Sequence, residues 1–171
     1  MKAISLWQPW ASAIALGSKR IETRSWETSH RGFLAIHASK RCIQEEMIEV
    51  GASWSWCGAL RRKMGEARDL AETLPFGAVV AVCELVDCRP TANFMLGEIR
   101  NRRHPFFTFG GDLDQTYSWT EEMMGNFELG RFGWVLAHIR PLKQPLPWKG
   151  AQGFFTVPDE LILPRLQEME G

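Results

Sequence analysis

The sequence predicts an α+β fold, a small mixed β-barrel with helices packed outside it. Three observations point there. Apolar residues recur in short alternating or continuous runs divided by turn residues. Helical patterns do not alternate regularly with these runs, as a doubly wound sheet would require. A chain of 171 residues is long enough for a single domain over 1–171 with a real core, and leaves little room for a second.

Lys2–Trp7 is short and partly apolar, a first strand. Pro9 suits the first turn of a helix, where its missing N–H costs nothing. Trp10, Ala13 and Ile14 keep helical spacing, and Gly17 is a natural stop. Lys19–Trp26 alternates, with Ile21 and Thr23 on one side and Glu22, Arg24 and Trp26 on the other. His30-Arg31-Gly32 is a turn into a strand over Phe33–Ala38. Ser39 is placed to cap a helix with Ile43, Met47 and Val50 on one face. Leu60, Met64, Ala67, Ala71 and Leu74 mark a second amphipathic helix.

Ala78–Asp87 is almost continuously apolar and reads as a strand buried on both faces. The stretch 89–118 is the least readable, with helical character over Thr91–Arg103 and a loop at Gly110-Gly111-Asp112. Trp119–Gly125 reads as a short helix and Arg131–Ile139 as a strand. Pro141, Pro145 and Pro147 are expected to break the chain just beyond that strand. Gly150–Val157 is a last short strand, and Pro158 opens a C-terminal helix.

Net formal charge is zero, so no basic field covers the whole chain. A nucleic-acid ligand would need a local patch, and the charge is unevenly spread. Met1–Arg41 carries seven Lys and Arg against Glu22 and Glu27, whereas Pro158–Gly171 is acidic. The four cysteines, at 42, 57, 83 and 88, form no CxxC pair and no zinc-spaced cluster. No metal or cofactor is therefore expected, and reduced thiols fit a cytoplasmic location. The uncharged run Ala3–Ser18 is interrupted by Ser5, Gln8, Pro9 and Ser12, which makes it a strand and helix rather than a signal peptide. No run is apolar enough to predict a membrane span.

Three segments set polar groups beside aromatics. They are Ser5–Ser12, then Gly17–Trp26 running on to Arg31-Gly32 and Ile36–Lys40, and Gly130–Leu136 continuing to Pro147–Phe154. Together they contain an early Trp-Pro turn, a K-x-x-E-x-R strand at Lys19, Glu22 and Arg24, a Gly-Arg-aromatic-x-Trp strand, and Lys149-Gly150-Ala151-Gln152-Gly153. Each piece is weak by itself. In this order they resemble the ASCH family (activating signal cointegrator homology), closest to its bacterial and phage members. The resemblance covers roughly residues 2–40 and 76–156, leaving 41–75 as a family-specific insertion. It implies a PUA-like β-barrel and a role in binding RNA or DNA. Some branches of the family are hydrolases, among them an acetylcytidine amidohydrolase and a ribonuclease.

The leading expectation is a nucleic-acid-binding domain with RNA preferred, holding RNA, another single strand or a nucleotide-like ligand in a basic, tryptophan-lined cleft. Arg24, Arg31, Arg131, Lys40 and Lys149 suit phosphate oxygens, arginine through its bidentate fork. Trp7 and Trp26 suit base stacking, and Trp134 suits either stacking or core. Gln152 can read a base edge through its amide. His37 belongs to the same stretch, although its apolar neighbours also fit a buried, satisfied imidazole.

The alternative is a hydrolase on a modified nucleoside or RNA. Lys19 stands where the amidohydrolase branch keeps its lysine, with Glu22 beside it. That branch has a threonine where this chain has Glu22, and Thr23, one residue on, faces the opposite side of a strand. Its later glutamate would match Glu121, Glu122 or Glu128. A structural ion network among Lys19, Glu22 and Arg24 explains the same residues. A third reading is a protein-interaction adaptor using exposed tryptophans.

Overall fold

The computed structural model describes residues 1–40, 74–94, 106–108, 116–118 and 124–167. Its strands are β1 (Lys2–Leu6), β2 (Ile21–Arg24), β3 (Gly32–Ala38), β4 (Ala78–Pro90), β5 (Phe106–Thr108), β6 (Thr116–Ser118), β7 (Phe132–Pro147) and β8 (Phe154–Thr156). The described helices are α1 (Trp10–Ala15) and α2 (Asp159–Gln167). Six strands form one mixed sheet in the order β2-β7-β4-β3-β1-β8, and β5 pairs with β6. β1 runs parallel to β3 and antiparallel to β8, and β2 runs antiparallel to β7. All four strands expected to build the barrel, from Lys19–Trp26 to Arg131–Ile139, lie in this sheet. The helices expected over 39–51, 60–74, 91–103 and 119–125 fall wholly or mostly outside the described residues, as do the basic runs at 61–63 and 100–104.

The chain divides into two compact units. The first comprises Met1–Ser18, Phe33–Glu84 and His138–Gly171. Its core packs Ala3 of β1, Ala35 of β3, Val79 and Val82 of β4, Leu142 and Leu146 of β7, and Ile162 and Leu166 of α2. The helix α1 ends as a Schellman motif. Ser18 N–H reaches Ala13 O and Gly17 N–H reaches Ile14 O, with Gly17 at φ +73°. The second unit comprises Lys19–Gly32 and Leu85–Ala137. Ile21, Phe94, Phe127 and Val135 form its core, with Phe94 and Phe127 edge to face at 5.9 Å.

One expectation fails in this sheet. Pro141, Pro145 and Pro147 do not end the strand, because β7 extends to Pro147. The reason is parity. Trp148, an even position, donates its N–H to Gly77 O just ahead of β4. Even-numbered residues past His138 therefore turn their N–H toward β4, and odd ones turn it away. On that other side β2 pairs only with Phe132–Val135. All three prolines are odd, so each lacks an N–H where this sheet asks for none.

Candidate nucleic-acid interface

In the second unit the residues around β2 form an ion network. Lys19 Nζ donates to Ile21 O and, at 2.8 Å, to Met124 O, and lies 3.6 Å from Glu22 Oε2. Two hydrogen bonds and one ion pair thus hold the ammonium group. Arg24 Nε lies 3.0 Å from Glu22 Oε1, so one carboxylate sits between two cations. The Lys19 side chain is 1% exposed and that of Glu22 10%. Strand alternation turns Thr23 the other way, where Oγ1 accepts the Asn126 N–H at 2.8 Å. Arg131 Nη2 approaches Thr23 O at 3.5 Å.

The remaining expected groups of this unit are also braced. The Arg31 guanidinium donates to Thr28 O at 3.0 Å and His30 O at 2.9 Å, and lies 3.5 Å from Asp87 Oδ1. Trp134 is fully buried, and its indole N–H points to Trp26 O at 3.4 Å. The two rings meet edge to face at 4.6 Å, so Trp134 is a core residue and Trp26 covers it. Glu128 is exposed and accepts from Asn126 Nδ2, while Glu121 and Glu122 lie outside the described residues. Burial pushes the Cys88 thiol up, and Cys88 receives the Thr28 N–H.

In the first unit the parallel register sets Ser5 beside His37. Ser5 Oγ is 3.0 Å from His37 Nδ1, and His37 Nε2 is 3.0 Å from Trp148 O. A carbonyl only accepts, so Nε2 carries the hydrogen and Nδ1 accepts from the serine hydroxyl. Phe155 covers the ring edge-on at 5.6 Å. Burial holds the imidazole below its ordinary value of 6.5, opposed in part by the bond to Trp148. His37 is thus the satisfied buried imidazole that its neighbours predict.

The turn after β7 closes directly onto this histidine. A β-carbon on Gly150 would lie 2.5 Å from Ser5 Oγ and 2.7 Å from His37 Nδ1, so only glycine fits without displacement. The Trp148 N–H bonds Gly77 O, and a β-carbon on Gly77 would lie 2.6 Å from Lys40 Cγ. The stem of Lys40 therefore crosses the backbone at the point where the turn is tied. Ser39 N–H donates to Leu6 O at 2.8 Å, which continues the β1/β3 pairing to its end. Trp7 and Lys40 leave the two parallel strands at that same end. Trp7 is 44% exposed, and Lys40, Lys149 and Gln152 are exposed as well.

The expected residues thus fall into two groups. Lys19, Glu22 and Arg24 converge in one unit, where Trp26, Arg31 and Arg131 are also held. Trp7, His37, Lys40, Lys149 and Gln152 belong to the other. Sequence reasoning missed Ser5, Gly77 and Gly150, which fix the second group. Ser5 was legible as a polar residue between Ile4 and Leu6, whereas its partner is 32 residues away.

The ASCH domain family model matches residues 4–145. This chain belongs to the ASCH domain family. The ASCH chain is 36% identical over 92 residues to mouse "Activating signal cointegrator 1" and 35% identical to the human protein of that name. Those matches cover 53% of this chain but 15% of each relative. The crystal structure of ASCH from Zymomonas mobilis aligns over 95% of this chain and 90% of its own, with TM-score 0.50 and 13% identity. That likeness establishes the fold, PUA-like and α+β, and only the fold. The ASCH family as a whole is associated with nucleic-acid interaction. Among the described residues no helix is long and apolar enough to cross a membrane.

Proposed function

We propose that this ASCH domain binds single-stranded RNA, and that its first unit carries the contact. One observation supports this above the others: an exposed tryptophan and an exposed lysine leave the same end of the β1/β3 pair, and a turn bearing Lys149 and Gln152 is clasped to β3. In this reading Lys40 and Lys149 meet phosphates, Trp7 stacks a base, and the Gln152 amide reads a base edge. Arg24 is a weaker candidate, because Glu22 already offsets its charge.

Affinity for single-stranded RNA should fall linearly with salt on a double-logarithmic plot. The double variant Lys40→Ala, Lys149→Ala should bind every sequence more weakly and lower that slope by about 1.4, or about 0.7 for each phosphate no longer neutralised. An unchanged slope in a folded double variant removes both lysines from the site.

The hydrolytic reading draws its support from Lys19 and Glu22, a buried cation beside a carboxylate. Lys19 donates to two backbone carbonyls and pairs with Glu22 in a buried site, which suits a structural strut better than a nucleophile. Acylated cytidines should therefore not be turned over. Hydrolysis of acylated cytidine or RNA by the purified protein, lost in Lys19→Arg, would restore that reading.

A further inference from the structure

The Ser5–His37–Trp148 chain looks at first like a nucleophile and its base. A hydroxyl lies 3.0 Å from an unprotonated ring nitrogen, and a carbonyl orients the other nitrogen. The position of Gly150 argues otherwise. Its α-carbon projects onto both Ser5 Oγ and the ring, where even a methyl group would collide. Turn backbone occupies the space that a substrate carbonyl would need for attack by Ser5.

The same geometry serves another purpose. We propose that His37 is a positioning residue for RNA binding, a clasp that joins β1 and β3 to the 148–153 turn and so sets where Lys149 and Gln152 meet the strand. This rests on the RNA reading above and deepens it. The ring touches both the β1/β3 pair and the turn: Ser5 on one nitrogen, Trp148 on the other, Phe155 of β8 against its edge and Gly150 against Nδ1. Each end of the clasp demands a particular residue. Ser5 must donate to Nδ1, Nε2 must donate to a backbone carbonyl, and position 150 must lack a β-carbon.

The clasp also makes the interface sensitive to acid. The groups that bond or abut the ring here are a hydroxyl, a carbonyl, a phenyl ring and a glycine, all uncharged, and the causes that set its proton affinity are burial and the Trp148 bond, with no neighbouring charge among them. Protonation would place an uncompensated charge in a site that is 2% exposed. The ring would have to leave that site to regain water, which releases the turn.

The test measures RNA affinity and backbone hydrogen exchange of residues 149–153 in the full chain. It compares wild type with His37→Phe, His37→Gln and Gly150→Ala. His37→Phe keeps the ring and removes both nitrogens. Affinity should fall about fivefold, the worth of one net hydrogen bond, and exchange in the turn should speed up. His37→Gln can still donate to Trp148 O and should recover most of the affinity. Gly150 has no left-handed φ, so alanine there acts through contact alone and should disturb the turn from its other side. Wild-type affinity should also drop as pH falls below 6.5, and His37→Gln should lose that drop, which assigns it to His37. Should His37→Phe fail to fold, Gly150→Ala and His37→Gln carry the test. Wild type that binds no RNA overturns the RNA reading and, with it, the assignment of the clasp to binding. Wild type that binds, with variants that match it in affinity, exchange and pH profile, overturns the clasp alone.

Discussion

Lys19 brings an ammonium group into a position that is 1% exposed, and such a charge survives only with partners. Those partners are two carbonyls and the Glu22 carboxylate. Replacing it by Met keeps the length and removes the donors. Glu22 would then keep Arg24, and the carbonyls of Ile21 and Met124 would lose their donor. Removing one member of a buried pair costs about 3–5 kcal/mol, and the retained Arg24 places the expected loss in the lower half of that range. Urea unfolding should show Lys19→Met well below wild type, with Glu22→Gln added on top lowering it further, because Arg24 then loses its carboxylate. A Lys19→Met protein as stable as wild type would mean the network is not structural. The spacing of Lys19, Glu22 and Arg24 made this network legible in the sequence. The Met124 carbonyl was hidden, because it is 105 residues away and belongs to the backbone.

At the scale of elements, the strand pattern was legible wherever a run alternated or stayed apolar, as in β3 and β4. The extent of β7 was not, because proline reads as a breaker until the pairing side is known. Gly133 shows a second limit. In sequence it is one letter of a Gly-Arg-aromatic-x-Trp strand. In the structure a β-carbon there would lie 2.5 Å from Phe94 Cε2 and 3.2 Å from Ile21 Cγ2, against a ring that is 1% exposed. The strand crosses the core of the second unit at that point, and no window on the sequence around Gly133 contains Phe94. Gly133→Ala should therefore overpack this core and cost about 1–3 kcal/mol. Alanine normally favours the folded state over glycine by limiting the unfolded chain, so the sign is informative. A lowered urea midpoint supports the close approach, and a raised one shows that Phe94 can yield.

For the whole molecule, zero net charge makes stability depend on a few buried groups rather than on general repulsion. Two of them bound a pH window in the first unit. His37 sits below its ordinary 6.5 when folded, so the unfolded chain binds its proton first as pH falls. Its contribution is full above 6.5 and is lost as pH drops toward the folded value. Cys83 works in the opposite direction. Burial pushes its thiol from 9.0 up to about 12. Above pH 9 the unfolded chain ionises this thiol while the folded chain keeps it protonated, so stability declines as pH rises from 9 toward 12. Each group limits the slope to about 1.4 kcal/mol per pH unit. Urea unfolding between about pH 5 and about pH 10 should accordingly show a plateau between roughly 6.5 and 9, the two ordinary values of these groups. Cys83→Ala should reduce the alkaline decline, leaving the part that the raised Cys88 thiol contributes, and leave the acid side alone. His37→Gln should do the reverse. An alkaline decline that persists unchanged in Cys83→Ala would assign it to other groups and remove the buried thiol as its cause.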